Sequence, residues 1–145
     1  MTLLVDDQLL SVVLRGEELP APLGPDPTIA TTGYWYVRLC QAVLGVVDRT
    51  GTISGPFIAL PSARREQALA AVLELPDEIG LVSLRQLGPV IGRLRARRQL
   101  NVLSAEALAA AVYLNATVAL STRSPRLEDA LSAEGMSFHV VASTP

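Results

Sequence analysis

The sequence has one cysteine, one histidine and no lysine. A lone Cys40 can form no internal disulfide, and Cys40 with His139 is too small a set for a thiolate–imidazole zinc site. Both residues suit core positions, where cysteine packs as a small hydrophobe. Any metal ion would need oxygen ligands, which points to magnesium, manganese or calcium. Aromatic residues are also scarce, with none between Phe57 and Tyr113. Long apolar runs are missing too. The longest, Ala107 to Leu114, stops at Asn115, far short of the roughly 18 residues that cross a bilayer. No cationic stretch precedes an apolar one at the start of the chain. No signal peptide and no membrane partner are therefore expected, and the expected location is cytoplasmic.

What remains is a chain of 145 residues, half of them hydrophobic and 18% charged. That length fits a single domain over 1–145 with a short tail at 142–145, and that apolar content excludes disorder. A net charge of −2 creates no global field that would attract nucleic acid. All twelve cations are arginine. Guanidinium forks suit phosphate or carboxylate recognition, but a GC-rich coding sequence is the simpler account and also explains the abundant Ala, Val and Leu.

Short apolar runs alternate with helical patterns, as in parallel sheets built from βα units. Leu3-Leu4-Val5 reads as a buried strand ending at Asp6. Asp7 stands where a cap would, before a helix with Leu9, Leu10, Val13 and Leu14 that closes at Gly16. The stretch from Leu19 to Thr28 carries Pro20, Pro22, Pro25 and Pro27 and reads as an extended loop. Thr31 or Thr32 caps a helix with Trp35, Leu39, Val43 and Val46 on one face. A turn-rich connection over Asp48–Gly55 leads to a helix from Pro61-Ser62 through Ala63–Glu74, then a strand over Ile79–Leu84. Arg85–Arg98 is helical, with Gly88-Pro89 marking a break or a start. Ser104 caps the apolar helix Ala105–Leu114, Thr117–Leu120 is a buried strand, and Ser124-Pro125 opens a helix ending at Gly135. Ser137–Val141 is the last strand. The expected fold class is α/β: a central, mainly parallel sheet of four to five strands flanked by helices.

Ligands of open parallel sheets bind outside the carboxyl ends of the strands. Asp6 and Asp7 follow the first strand, Ser121-Thr122-Arg123-Ser124 follow the strand at Thr117, and Glu106 lies in the first turn of the preceding helix. Each has a plain structural reading beside the functional one. Asp6 could cap the following helix, Glu106 favours the helix dipole, Ser124 suits a cap, and Arg123 could pair with a nearby carboxylate. Arg93, Arg95, Arg97 and Arg98 form a further cluster, with Arg93 and Arg97 on one helix face and Arg95 and Arg98 on another. They could touch RNA phosphates. No aromatic residue is interleaved to stack bases, so a solvated helix face is the plainer reading.

The pattern Leu3-Leu4-Val5-Asp6-Asp7-Gln8-Leu9-Leu10 resembles the opening strand of PIN-domain proteins. The closing third is similar to that family as well. Leu103-Ser104-Ala105-Glu106-Ala107 opens an alanine-rich helix, Asn115-Ala116-Thr117-Val118-Ala119-Leu120 supplies a strand, and Thr122-Arg123-Ser124-Pro125-Arg126-Leu127 stands where the family has Thr-Arg-Asp. The resemblance implies a PIN-like α/β/α sandwich and a magnesium- or manganese-dependent ribonuclease, often the toxin of a toxin–antitoxin pair. Carboxylates there hold metal that activates water. Carried over by position, Asp6 and Glu106 are the metal-binding and catalytic acids, with Ser124 in the place of the last acid. Arg123 and Arg126 are the candidates for nucleic-acid contact.

Two departures weaken the acidic set. No acid lies between Tyr34 and Val47, where Arg38 and Gln41 are the nearest polar residues, and Ser124 is neutral. Asp7 and Asp48 are the substitutes nearest to hand. The resulting expectation is a member with weakened or lost nuclease activity that binds a protein partner or nucleic acid. The alternative is an active endoribonuclease toxin. Dimerisation and an antitoxin-like partner are further implications of the resemblance. Trp35 with its apolar neighbours and the helix Ala63–Leu73 are candidate surfaces if they prove exposed. A receiver-like fold is set aside, because it requires a lysine.

Overall fold

The computed structural model describes residues 1–20, Leu23, 26–45 and 51–141. Pro22, Pro25, Val46, Asp48 and the tail 142–145 lie outside the described residues. Strand β1 (Thr2–Val5) occupies the middle of the sheet. Its Leu3, Leu4 and Val5 are wholly buried, which is why the strand is apolar on both faces rather than alternating. On one side it pairs with β2 (Thr28–Thr31), followed by β3 (Gly80–Leu81). On the other it pairs with β4 (Thr117–Leu120), followed by β5 (Phe138–Val140). All pairings are parallel, in the order β3-β2-β1-β4-β5. The α/β class and the parallel sheet expected from the sequence are present.

The chain runs outward from β1 to β3, then returns across β1 to β4 and β5. Crossovers between parallel strands are right-handed as a rule, so reversing their direction puts the two sets of helices on opposite faces. One face carries α1 (Asp7–Leu14), α3 (Ser54–Ile58) and α4 (Ser62–Leu73), where Leu9, Phe57 and Val72 join Leu3, Val5 and Ala119. The other carries α5 (Leu84–Arg97), α6 (Val102–Leu114) and α7 (Pro125–Ala133), where Leu87, Leu108 and Leu131 join Leu4 and Val118. The helix α2 (Gly33–Leu44) contributes Trp35 to this second core and Leu39 to the first. Among the described residues no helix is long and apolar enough to cross a membrane.

Several local expectations are corrected. Thr28, expected as the end of a loop, opens a strand over Thr28–Thr31 that the sequence reading did not assign. Within it Thr31 donates its hydroxyl to the Val5 carbonyl at 2.9 Å, which leaves Thr32 as the cap that accepts from the Trp35 amide. The connection after residue 50 contains the short helix α3. Asn101, not Ser104, caps α6: its side chain accepts from the Ser104 amide at 2.8 Å. Pro89 lies inside α5, whose cap is Ser83. Gly88 has no Cβ to meet the proline ring, and Pro89 is exposed, so the lost backbone bond faces water. The strand expected over 79–84 contracts to Gly80–Leu81.

Candidate functional site

The strand order reverses between β1 and β4, and a crevice opens outside the carboxyl ends of strands at such a switch point. A hollow of about 190 Å3 lies there. Asp6 and Asp7 line it from the end of β1, Thr122, Arg123 and Ser124 from the end of β4, Ser104 from α6, and Arg38 with Trp35 from α2. The segments of Asp6-Asp7 and of Thr122-Arg123-Ser124 thus meet there, Glu106 does not join them, and α2 adds a guanidinium group to the wall.

Asp6 is buried, and both oxygens of its carboxylate accept hydrogen bonds. Oδ1 accepts from the Leu9 amide at 3.0 Å, which makes Asp6 rather than Asp7 the cap of α1. Oδ2 accepts from the Ser121 amide at 2.7 Å and the Ser121 hydroxyl at 2.6 Å. One side chain thereby joins the end of β1, the start of α1 and the end of β4. Burial raises the Asp6 carboxyl above its ordinary value, outweighing these hydrogen bonds, and the neighbouring charge of Asp7 adds to the rise. Asp7 accepts from the Gln8 amide and pairs with Arg38 Nε at 3.2 Å.

Glu106 is completely buried, and its carboxylate turns to the start of α2. Oε1 accepts from the Tyr34 amide at 2.8 Å and Oε2 from the Gly33 amide at 3.2 Å. With Thr32 holding the Trp35 amide, three of the free N–H groups at that helix start are satisfied. The negative charge also meets the positive end of the α2 dipole. Glu106 does not line the hollow that Asp6 faces.

Behind Ser124, Glu128 organises the last motif. Its Oε2 accepts from the Ser124 amide at 2.6 Å, and its two oxygens grip Arg123 at 3.1 and 3.0 Å. Burial would raise the Glu128 carboxyl, but the Arg123 hydrogen bond, the Ser124 amide and the Arg123 charge prevail and hold it below its ordinary value. The Ser124 side chain makes no capping hydrogen bond, so the reading of Ser124 as a hydroxyl cap is corrected. Arg126 is exposed in the first turn of α7 and lines a neighbouring hollow.

Magnesium and manganese are implied by the family resemblance, but the residues present do not fit them. Among the described residues no group of three or more Asp, Glu, His or Cys side chains is placed to hold a metal ion. Asp6, at the end of β1, and Glu106, within α6, already accept five hydrogen bonds between them. Arg38 and Arg123 stand in the same hollow, where a hard cation depends on net negative charge. Asp48 lies outside the described residues. The hollow carries two carboxylates, two guanidinium groups held by Asp7 and Glu128, and the residues Ser104, Thr122 and Ser124.

Sequence reasoning missed Glu128 and named Thr122 and Arg38 without giving either a role in the site. The capping-box spacing did not announce Glu128, which stands four residues after Ser124 where that motif puts its acid three residues after the cap. Neither a protein-family model nor a curated protein matches this chain.

Proposed function

We propose that the chain is a PIN-like domain that binds RNA at the switch-point hollow without metal-dependent cleavage. The observation that carries this reading is the engagement of both acids, Asp6 and Glu106, with backbone amides. Arg38 and Arg123 support the binding half. Each has a carboxylate partner, yet their side chains are 56% and 73% exposed, which leaves N–H groups for a phosphate. The test is fluorescence anisotropy with a short labelled single-stranded RNA, in chelator and then in manganese. The expected result is equal binding in both, intact RNA, and weaker binding by Arg38→Gln. Cleavage that needs manganese and disappears in Asp6→Asn would instead establish the toxin-type ribonuclease.

A second reading, a protein partner or a second copy of the chain, is favoured by one observation. Tyr34, Val37 and Leu44 are exposed along α2 at helical spacing. Sedimentation of the protein and of Val37→Glu tests it: a dimer lost in the variant supports this reading, and a monomer in both removes the self-association form of it.

A further inference from the structure

A second basic hollow, of about 650 Å3, lies where α5 ends, turns and gives way to α6. Arg95, Arg97, Arg98 and Arg126 line it, with the amides of Gln99 and Asn101 between them. Arg97 and Arg98 share one carboxylate, Glu134, at 3.4 and 2.9 Å. Arg95 gives its Nε to the Leu100 carbonyl at 3.2 Å. Among the described residues no carboxylate pairs with Arg95 or Arg126.

One carboxylate among four guanidinium groups leaves a strong local excess of positive charge on a chain whose net charge is negative. Stabilising the C-terminus of α5 accounts for the arginines of its last turn. It does not account for Arg126, which arrives from α7 on the far side of the turn.

We propose that this hollow is a binding site for a chain of phosphate groups. Guanidinium forks match phosphate oxygens two at a time, and a ligand with several charges in a row suits arginines spread across a basin. No aromatic side chain lines it, so the phosphates, not a base or ring, are what it recognises. The basin is also linked to the first site by shared walls. An intermediate hollow of about 210 Å3 shares Leu100, Asn101 and Arg126 with it, and Ser104 and Ser124 with the switch-point hollow. The ligand is either a free oligophosphate or the backbone of a nucleic acid. The first source stands even if RNA is not bound at the switch point.

The test is calorimetric titration with sodium tripolyphosphate in chelator, repeated with Arg126→Ala and with Arg93→Ala, an exposed arginine of α5 outside the hollow. The expected result is saturable binding weakened about tenfold by Arg126→Ala and unchanged by Arg93→Ala, with both variants melting like the parent protein. Displacement by a short single-stranded RNA identifies the nucleic-acid backbone as the source, and failure to displace identifies the free oligophosphate. No binding overturns the proposal. So does equal weakening by Arg93→Ala, or equal competition by polyglutamate, since either means diffuse attraction for any anion.

Discussion

The amide of Tyr34 donates to Oε1 of Glu106 across 2.8 Å, although 72 residues separate them. A carboxylate that the family resemblance assigns to metal thus serves as a remote cap for α2. Glu106→Ala should strip both amides of their acceptor and destabilise the fold by about 3 kcal/mol, since buried bonds to a charged group contribute about 1.5–3 each. Glu106→Gln should cost less, because one amide keeps an oxygen acceptor. Urea denaturation checks this: the midpoint should fall in that order with an unchanged slope.

Gly33 is tied to the same carboxylate by space. A Cβ at Gly33 would lie 3.1 Å from Glu106 Oε2, tighter than ordinary contact, and the buried carboxylate is anchored by two amides. Gly33→Ala should therefore cost about 1 kcal/mol in the parent protein, yet gain about 0.5 kcal/mol when Glu106 is already alanine. A double-mutant cycle by denaturant melts measures the coupling, and simple additivity would refute the contact.

Acid should act on Glu128. Its folded value lies below the ordinary 4.5, so its contribution is fully present above 4.5 and is lost as pH falls through the lowered value. Asp6 has the opposite sign. Its folded value lies above 3.8, so its contribution is greatest below 3.8 and declines as pH rises through the raised value. Glu128→Gln should flatten the acid limb of the melting-temperature profile and leave the falling contribution of Asp6 in view. An unchanged acid limb would show that the Arg123–Glu128 pair adds nothing to the fold.

Metal should do little. Titration with manganese or magnesium to about millimolar should give no saturable heat, because Asp6 at the end of β1 and Glu106 facing the start of α2 do not assemble a hard-cation site. Asp6→Ala should nonetheless lower stability by about 2–4 kcal/mol, since the Leu9 and Ser121 amides and the Ser121 hydroxyl lose their acceptor. Micromolar manganese binding abolished by Asp6→Ala and by Glu106→Ala would restore the nuclease reading.

The sequence exposed those parts of the fold where local chemistry alone decides. Leu3-Leu4-Val5 and Val118-Ala119-Leu120 are apolar on both faces because helices cover both, and such runs are visible without knowing their neighbours. Strand β2 was not legible. Thr-Ile-Ala-Thr follows Pro27 and has one large apolar residue, so its extended form comes from pairing with β1 and β3. The placement of Asp6 at a strand end was legible, but its bonds to Ser121 join residues 115 apart. Glu106 stood out as a lone charge in an apolar helix. Its partner was hinted at only by what α2 lacks: Trp35 occupies the place where a capping-box Glu would follow Thr32. The arginines near residue 97 read as a solvated helix face, because only the turn into α6 and the return of α7 bring Arg126 beside them.

The position of β1 also has a consequence for synthesis. Its partner β2 follows within thirty residues of the chain, but β4 is made only at residues 117–120. Until then a growing chain holds Leu3-Leu4-Val5 with one bare strand edge, and Asp6 without Ser121. Closure of the sheet must wait for that late segment, a slow non-local step during which the open edge is the point most exposed to mispairing with a neighbouring nascent chain.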